Sequence, residues 1–149
     1  MSTSDTIIDG NSAAAVLTGV ELPSSIWQAL VRGSRGRCPR CGHARLFERF
    51  LKPGATCASC SQNWSGQQAD DFPAYLAIII SGHLMAPVII GLVSHTNLSP
   101  TMIGVTLISL TGILTVALLQ PAKGAVIAMQ WWLGMHGFKR ERRLVPEPE

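Results

Sequence analysis

Residues 72–122 contain no Lys, Arg, Asp or Glu: all twelve basic and all nine acidic side chains of the 149-residue chain lie outside this interval. A charge at the centre of a bilayer costs at least ~2.5 kcal/mol, whereas a soluble domain carries charge along its whole surface, so the interval reads as one built for lipid. It divides at a polar turn, residues 94–101 (SHTNLSPT). Residues 73–93 match the ~20 residues that cross ~30 Å of hydrocarbon, and residues 102–119 are just long enough to cross back. The expected fold is a mainly α membrane protein organised on a two-helix transmembrane hairpin over residues 67–122. The turn lacks Lys and Arg while both flanks carry them, which places both termini in the cytoplasm. The competing reading, two buried helices of a soluble bundle, does not account for the missing charge. No secretory leader is expected, because residues 1–11 are polar and acidic and the apolar run after them is short, so the first crossing helix is expected to serve as the insertion signal.

Outside the hairpin the informative residues are cysteines. Cys38-Pro39-Arg40-Cys41 and Cys57-Ala58-Ser59-Cys60 form a C-x2-C-x15-C-x2-C pattern, within the range of a four-thiolate zinc site made of two knuckles. Gly42 after the first pair suits a positive φ, and Ser61 holds the matching place after the second. Disulfides are disfavoured in a reducing cytoplasm. Iron takes the same ligands, and spacing alone does not separate it from structural Zn²⁺. Four protein ligands leave no open position for a substrate, so the metal is expected to hold residues 35–66 together as a small zinc ribbon, with Leu46, Phe47, Phe50, Leu51 and Trp64 as its core and residues 52–55 as the turn between the pairs.

Residues 32–52 carry seven basic side chains and one acid, a formal +6 that a Zn(Cys)₄ centre at −2 would reduce to +4. Membrane lipid is the favoured partner of this patch, since an anionic bilayer surface near the ribbon attracts each basic residue by ~1 kcal/mol. A nucleic acid, met by Arg35, Arg37, Arg40, Arg45 and Arg49, is the alternative. Residues 1–21 are expected to be a disordered tail and residues 22–34 a short amphipathic helix, with Trp27 either in the headgroup layer or packed on the ribbon.

Within the hairpin, Asp71 and Pro73 are expected to cap the start of the first helix, with metal capture by Asp70 and Asp71 as the minority reading. His83 is an ionisable residue near mid-membrane and hence a candidate functional site, either bonded to a hydroxyl across the hairpin or to a partner, or acting as a ligand. Gly104 and Gly112, with Ser109 and Thr115, are expected to let the helices approach closely. Pro121-Ala122-Lys123-Gly124 is expected to end or kink the second helix. Residues 123–149 then form an interfacial segment and tail, with Trp131, Trp132, Lys139 and Arg140 at the inner membrane surface, either as a separate helix or as a continuation.

These residues together resemble a bacterial family of small membrane proteins, the domain-of-unknown-function 983 family. The likeness runs from about residue 35 to residue 130. It rests on CPRCGHARLFERFL, the CASC pair, Asp71-Phe72-Pro73-Ala74 and Pro121-Ala122-Lys123-Gly124. Phe72 stands where the family leads one to expect Gly, and Gln120 where it often has Arg. The resemblance implies a bacterial inner-membrane location and, from genes that often neighbour those of haem–copper oxidases and their assembly factors, a role beside a respiratory oxidase. The expected function is a non-enzymatic accessory or assembly protein whose ribbon binds a membrane protein partner. Metal or haem handling through His83, His95, Asp70 and Asp71 is one alternative, and a membrane-tethered nucleic-acid binder another. Oligomeric state is not legible.

Overall fold

A computed structural model describes residues 20–139. Residues 1–19 of the tail expected over residues 1–21, and the interfacial role of Arg140, lie outside the described residues, while Val20 packs on the core and the Glu21 carbonyl accepts from Arg32. In order the elements are α1 (Ile26–Ser34), β1 (Phe47–Arg49), β2 (Lys52–Pro53), α2 (Phe72–His95) and α3 (Pro100–Leu133). The chain is mainly helical, and α2 and α3 are each long and apolar enough to cross a membrane.

The two long helices pack on each other through a narrow stripe. On α2 only Pro73, Ala77, Ser81 and Met85 are buried, residues spaced by four that share one helical face. The other faces expose Ile78, Ile79, Leu84, Ile90, Ile108 and Ile113, an apolar surface far larger than water-facing helices present. Small residues do make the close contact, but not the glycines expected to. A Cβ added at Gly104 or Gly112 would meet nothing within 4 Å. The crossing falls instead at Ala77 and Ser81, where Thr115 Oγ1 donates to Ser81 Oγ at 3.1 Å and Ser81 Oγ donates to the Ile78 carbonyl at 3.0 Å.

The second long helix does not stop at Pro121. α3 continues through Pro121, Lys123 and Gly124 to Leu133, where Gly134 at φ 69° closes it and Met135 N–H donates to the Gln130 carbonyl at 2.9 Å. Proline removes one hydrogen bond from a helix interior and crowds the preceding turn. What outweighs that here is packing: Ala122, Gly124, Val126, Ile127, Ala128 and Trp131 are all buried. Nor does α1 pack on the ribbon alone. It lies across the continuation of α3, and Gly33 and Gly124 meet backbone to backbone, so that a Cβ on either would overlap the other's carbonyl. Ser25 caps α1, its hydroxyl accepting from Gln28 N–H at 3.3 Å. The head is thus one core shared by Ala29 of α1, the cysteine segment and residues 126–138.

This predicts opposite outcomes for four glycines. Gly33→Ala or Gly124→Ala should destabilise the fold by the upper part of the ~1–3 kcal/mol range of overpacking, read as a lower thermal midpoint in detergent, because backbone rather than a flexible side chain must give way. Gly104→Ala and Gly112→Ala should be neutral or mildly stabilising, since Ala is the better helix former and the space is open.

Candidate metal centre

Each cysteine pair sits on a tight turn of the same design. Gly42 N–H donates to the Cys38 carbonyl at 2.8 Å and Ser61 N–H to the Cys57 carbonyl at 2.9 Å, with Gly42 at φ 74° and Ser61 at φ 55°. Ahead of each pair a single bridge closes the loop, Arg37 with Arg45 and Thr56 with Asn63. The two turns face each other.

All four Sγ atoms lie within 4.8 Å of one another, with Cys38 3.8 Å from Cys60 and Cys41 3.7 Å from Cys57. Thiolates arranged tetrahedrally around an ion at ~2.3 Å would stand ~3.8 Å apart. The set could therefore hold a metal ion and fits zinc. Burial and mutual hydrogen bonding divide the protons unevenly. The Cys38 thiol is pushed up by its hydrogen bond to Cys60 and by burial, and burial raises Cys57. Cys60 is held down at about 4 by the hydrogen bond from Cys38, with help from the Gln62 backbone N–H and Arg40.

Two arginines of the basic stretch support this centre rather than face outward. Arg40 is 2% exposed and donates to the Cys60 carbonyl at 3.1 Å, which locks the first turn to the second. Its place in a nucleic-acid surface is thereby corrected. Arg32 reaches from α1 to the Arg40 carbonyl at 3.0 Å and the Glu21 carbonyl at 3.2 Å. Neither role has a sequence signal that separates it from a surface arginine.

The core under the cysteines differs from expectation in its makeup. Leu46, Phe47 and Trp64 are buried, but Phe50 is 57% exposed and Leu51 sits at φ 61°. These two form the tip of the β1–β2 hairpin, so the turn falls there and Lys52–Pro53 is strand. Trp131 takes the vacated place. It is 3% exposed, and its ring lies 6.3 Å from Trp64 in an edge-on contact, with Phe138 5.7 Å from Trp64 on another side. Aromatic pairs of this geometry contribute ~0.5–1.5 kcal/mol beyond their buried area. Trp131 is therefore core rather than a membrane-surface anchor, while Trp132 is half-buried edge-on to it and Trp27 and Lys139 are exposed.

Gln130, which the sequence reading passed over, ties this core to the start of α2. Its amide donates to the Gln68 carbonyl at 2.8 Å and accepts from Gln68 N–H at 3.2 Å. The one available signal was a lone amide in an otherwise apolar run. Asp71 precedes α2 but makes no side-chain capping bond; its carbonyl accepts from Ala74 and Tyr75, and Pro73 is buried in the first turn. His83 is exposed, and its Nδ1 pairs with the Ile79 carbonyl of its own helix at 2.8 Å rather than across the hairpin.

Among families of known proteins, the one described as "Protein of unknown function (DUF983)" matches residues 47–131. The chain belongs to this family. The DUF983 match takes in Cys57, Cys60 and both long helices as far as Trp131, and begins after the first cysteine pair, so it is shorter at the N-terminal side than the expected likeness. No curated protein and no solved structure matches the chain.

Metal ligation requires four thiolates and therefore expels the protons that Cys38 and Cys57 otherwise keep. Ligation lowers the folded-state thiol pKa values below the unfolded value of ~8.5, so the ion's contribution to stability is full above that value and declines as pH falls. Competition with a chromophoric chelator should show tighter binding at about pH 8 than at about pH 6. Cys57→Ser should abolish stoichiometric metal and lower the thermal midpoint, and chelation should do the same to the unmutated chain.

Proposed function

We propose that the protein is a non-enzymatic accessory protein of the bacterial inner membrane, in which α2 and α3 span the bilayer and the zinc-stapled head binds a protein partner on the cytoplasmic side. The observation that carries this reading is the cluster of four converging thiols fused to the inner end of α3. Four protein ligands would fill the coordination sphere of a zinc ion, which suits a folding role and leaves no position for a substrate. The orientation is supported by charge: residues 94–101 carry no Lys or Arg, while the head carries seven basic side chains between residues 32 and 52. The partner proposed is a respiratory oxidase or one of its assembly factors, as the resemblance read from the sequence implies.

His83 favours a partner that also touches the hairpin. An ionisable side chain exposed on an apolar helix face is costly against lipid, and a neighbouring helix would relieve that cost. The same residue supports the second reading, metal or haem handling, in which it would serve as a passing ligand.

Purification of the full chain in mild detergent should recover oxidase or assembly-factor subunits with it, and recovery of the chain alone at every detergent level would end the partner reading. His83→Ala should weaken that recovery. If it instead leaves recovery intact and lowers metal or haem loading of the oxidase, the handling role replaces the structural one. Thiol reagents confined to the periplasmic side should leave all four cysteines unlabelled, and labelling there would reverse the topology.

A further inference from the structure

The head contains a cleft of about 500 Å³ between the end of α1, the β1–β2 hairpin and Gln120 of α3. Arg35, Arg37, Arg45 and Arg49 line it against a single acid, Glu48. Arg37 donates to the Gly42 carbonyl at 3.5 Å, and among the described residues no ion pair ties any of the four to a carboxylate. Four like charges around one concavity repel each other unless an anion sits between them, and guanidinium groups match the oxygens of a phosphate in forked hydrogen bonds. The position of the cleft narrows the anion further. Gln120 is the first residue after the apolar run 102–119, so the cleft opens where the apolar surface of α3 ends. Phe50 lines the same cleft and is 57% exposed at the hairpin tip, with Leu51 beside it held at φ 61°. An exposed aromatic ring beside arginines suits the layer between headgroups and acyl chains. With Arg40 turned inward, the basic side chains gather around one half-open cleft rather than along the extended track a nucleic acid needs.

We propose that this cleft binds a phosphate group, presented by an anionic phospholipid of the inner leaflet. The lipid source rests on the reading that α2 and α3 span the bilayer; the phosphate site itself rests on the cleft. Full-length protein purified in neutral detergent is titrated with phosphatidylglycerol, phosphatidylcholine, inorganic phosphate and a single-stranded oligonucleotide, and bound molecules are counted by native mass spectrometry. The expected result is one saturable phosphatidylglycerol per chain and much weaker phosphatidylcholine. Arg35→Gln with Arg45→Gln should weaken phosphatidylglycerol by roughly tenfold or more while metal content stays unchanged. Inorganic phosphate bound as tightly as the lipid, and lost in the same double variant, would keep the phosphate site and make its source soluble. Equal binding of the two lipids, unchanged binding in the double variant, or displacement of the lipid by the oligonucleotide would overturn the proposal. Alkaline extraction of the membranes separates this result from the spanning reading: a chain that stays in the pellet yet binds no phosphatidylglycerol sinks the site alone.

Discussion

Two helices approach until their backbones touch only where neither carries a side chain, and α1 crosses α3 at such a point. Gly33 and Gly124 together fix how deeply α1 seats, and with it the position of everything α1 carries. Arg32, one residue before the contact, is thereby brought to the first cysteine turn, and Arg35, two residues after it, to the rim of the arginine cleft. The metal centre and the basic cleft are both referenced to this one crossing.

The cysteine turns supply the second constraint. A segment of some thirty residues buries too little apolar surface to fold unaided, and here it has two supports: the converging thiols on one side and Trp131 with Phe138 on the other. Trp64 is the link, since it belongs to the cysteine segment and rests on aromatic rings contributed by residues far along the chain. The amide of Gln130 bonds the connection between ribbon and α2 in the same neighbourhood, so three parts of the chain are tied within one turn of α3.

What was legible in the sequence were features with one physical solution. Two C-x2-C pairs with Gly42 and Ser61 behind them have few ways to fold other than facing turns with positive φ, and fifty-one residues without charge have few other than long apolar helices. Readings stay open or go astray where one pattern has two solutions settled by distant contacts. Pro121 ends a helix that has nothing to hold it and is tolerated in one whose next three turns are buried. Trp131 and Trp132 look alike to an interface and to a core. Phe50 and Leu51 are as apolar as Leu46 and Phe47, yet a hairpin that turns at them keeps them out of the core. Gly104 and Gly112 read as contact glycines and Gly33 and Gly124 did not, and only the choice of packing partner separates them.

The unbroken course of α3 carries a mechanical consequence. Its 34 residues at ~1.5 Å each run about 51 Å along the helix, one end apolar on its exposed faces and the other forming a wall of the four-cysteine head. No loop interrupts the helix between the two ends, so a change in tilt of the apolar half reaches the head through helical backbone instead of through a linker. A neighbour that grips either end can thus be felt at the other by leverage alone.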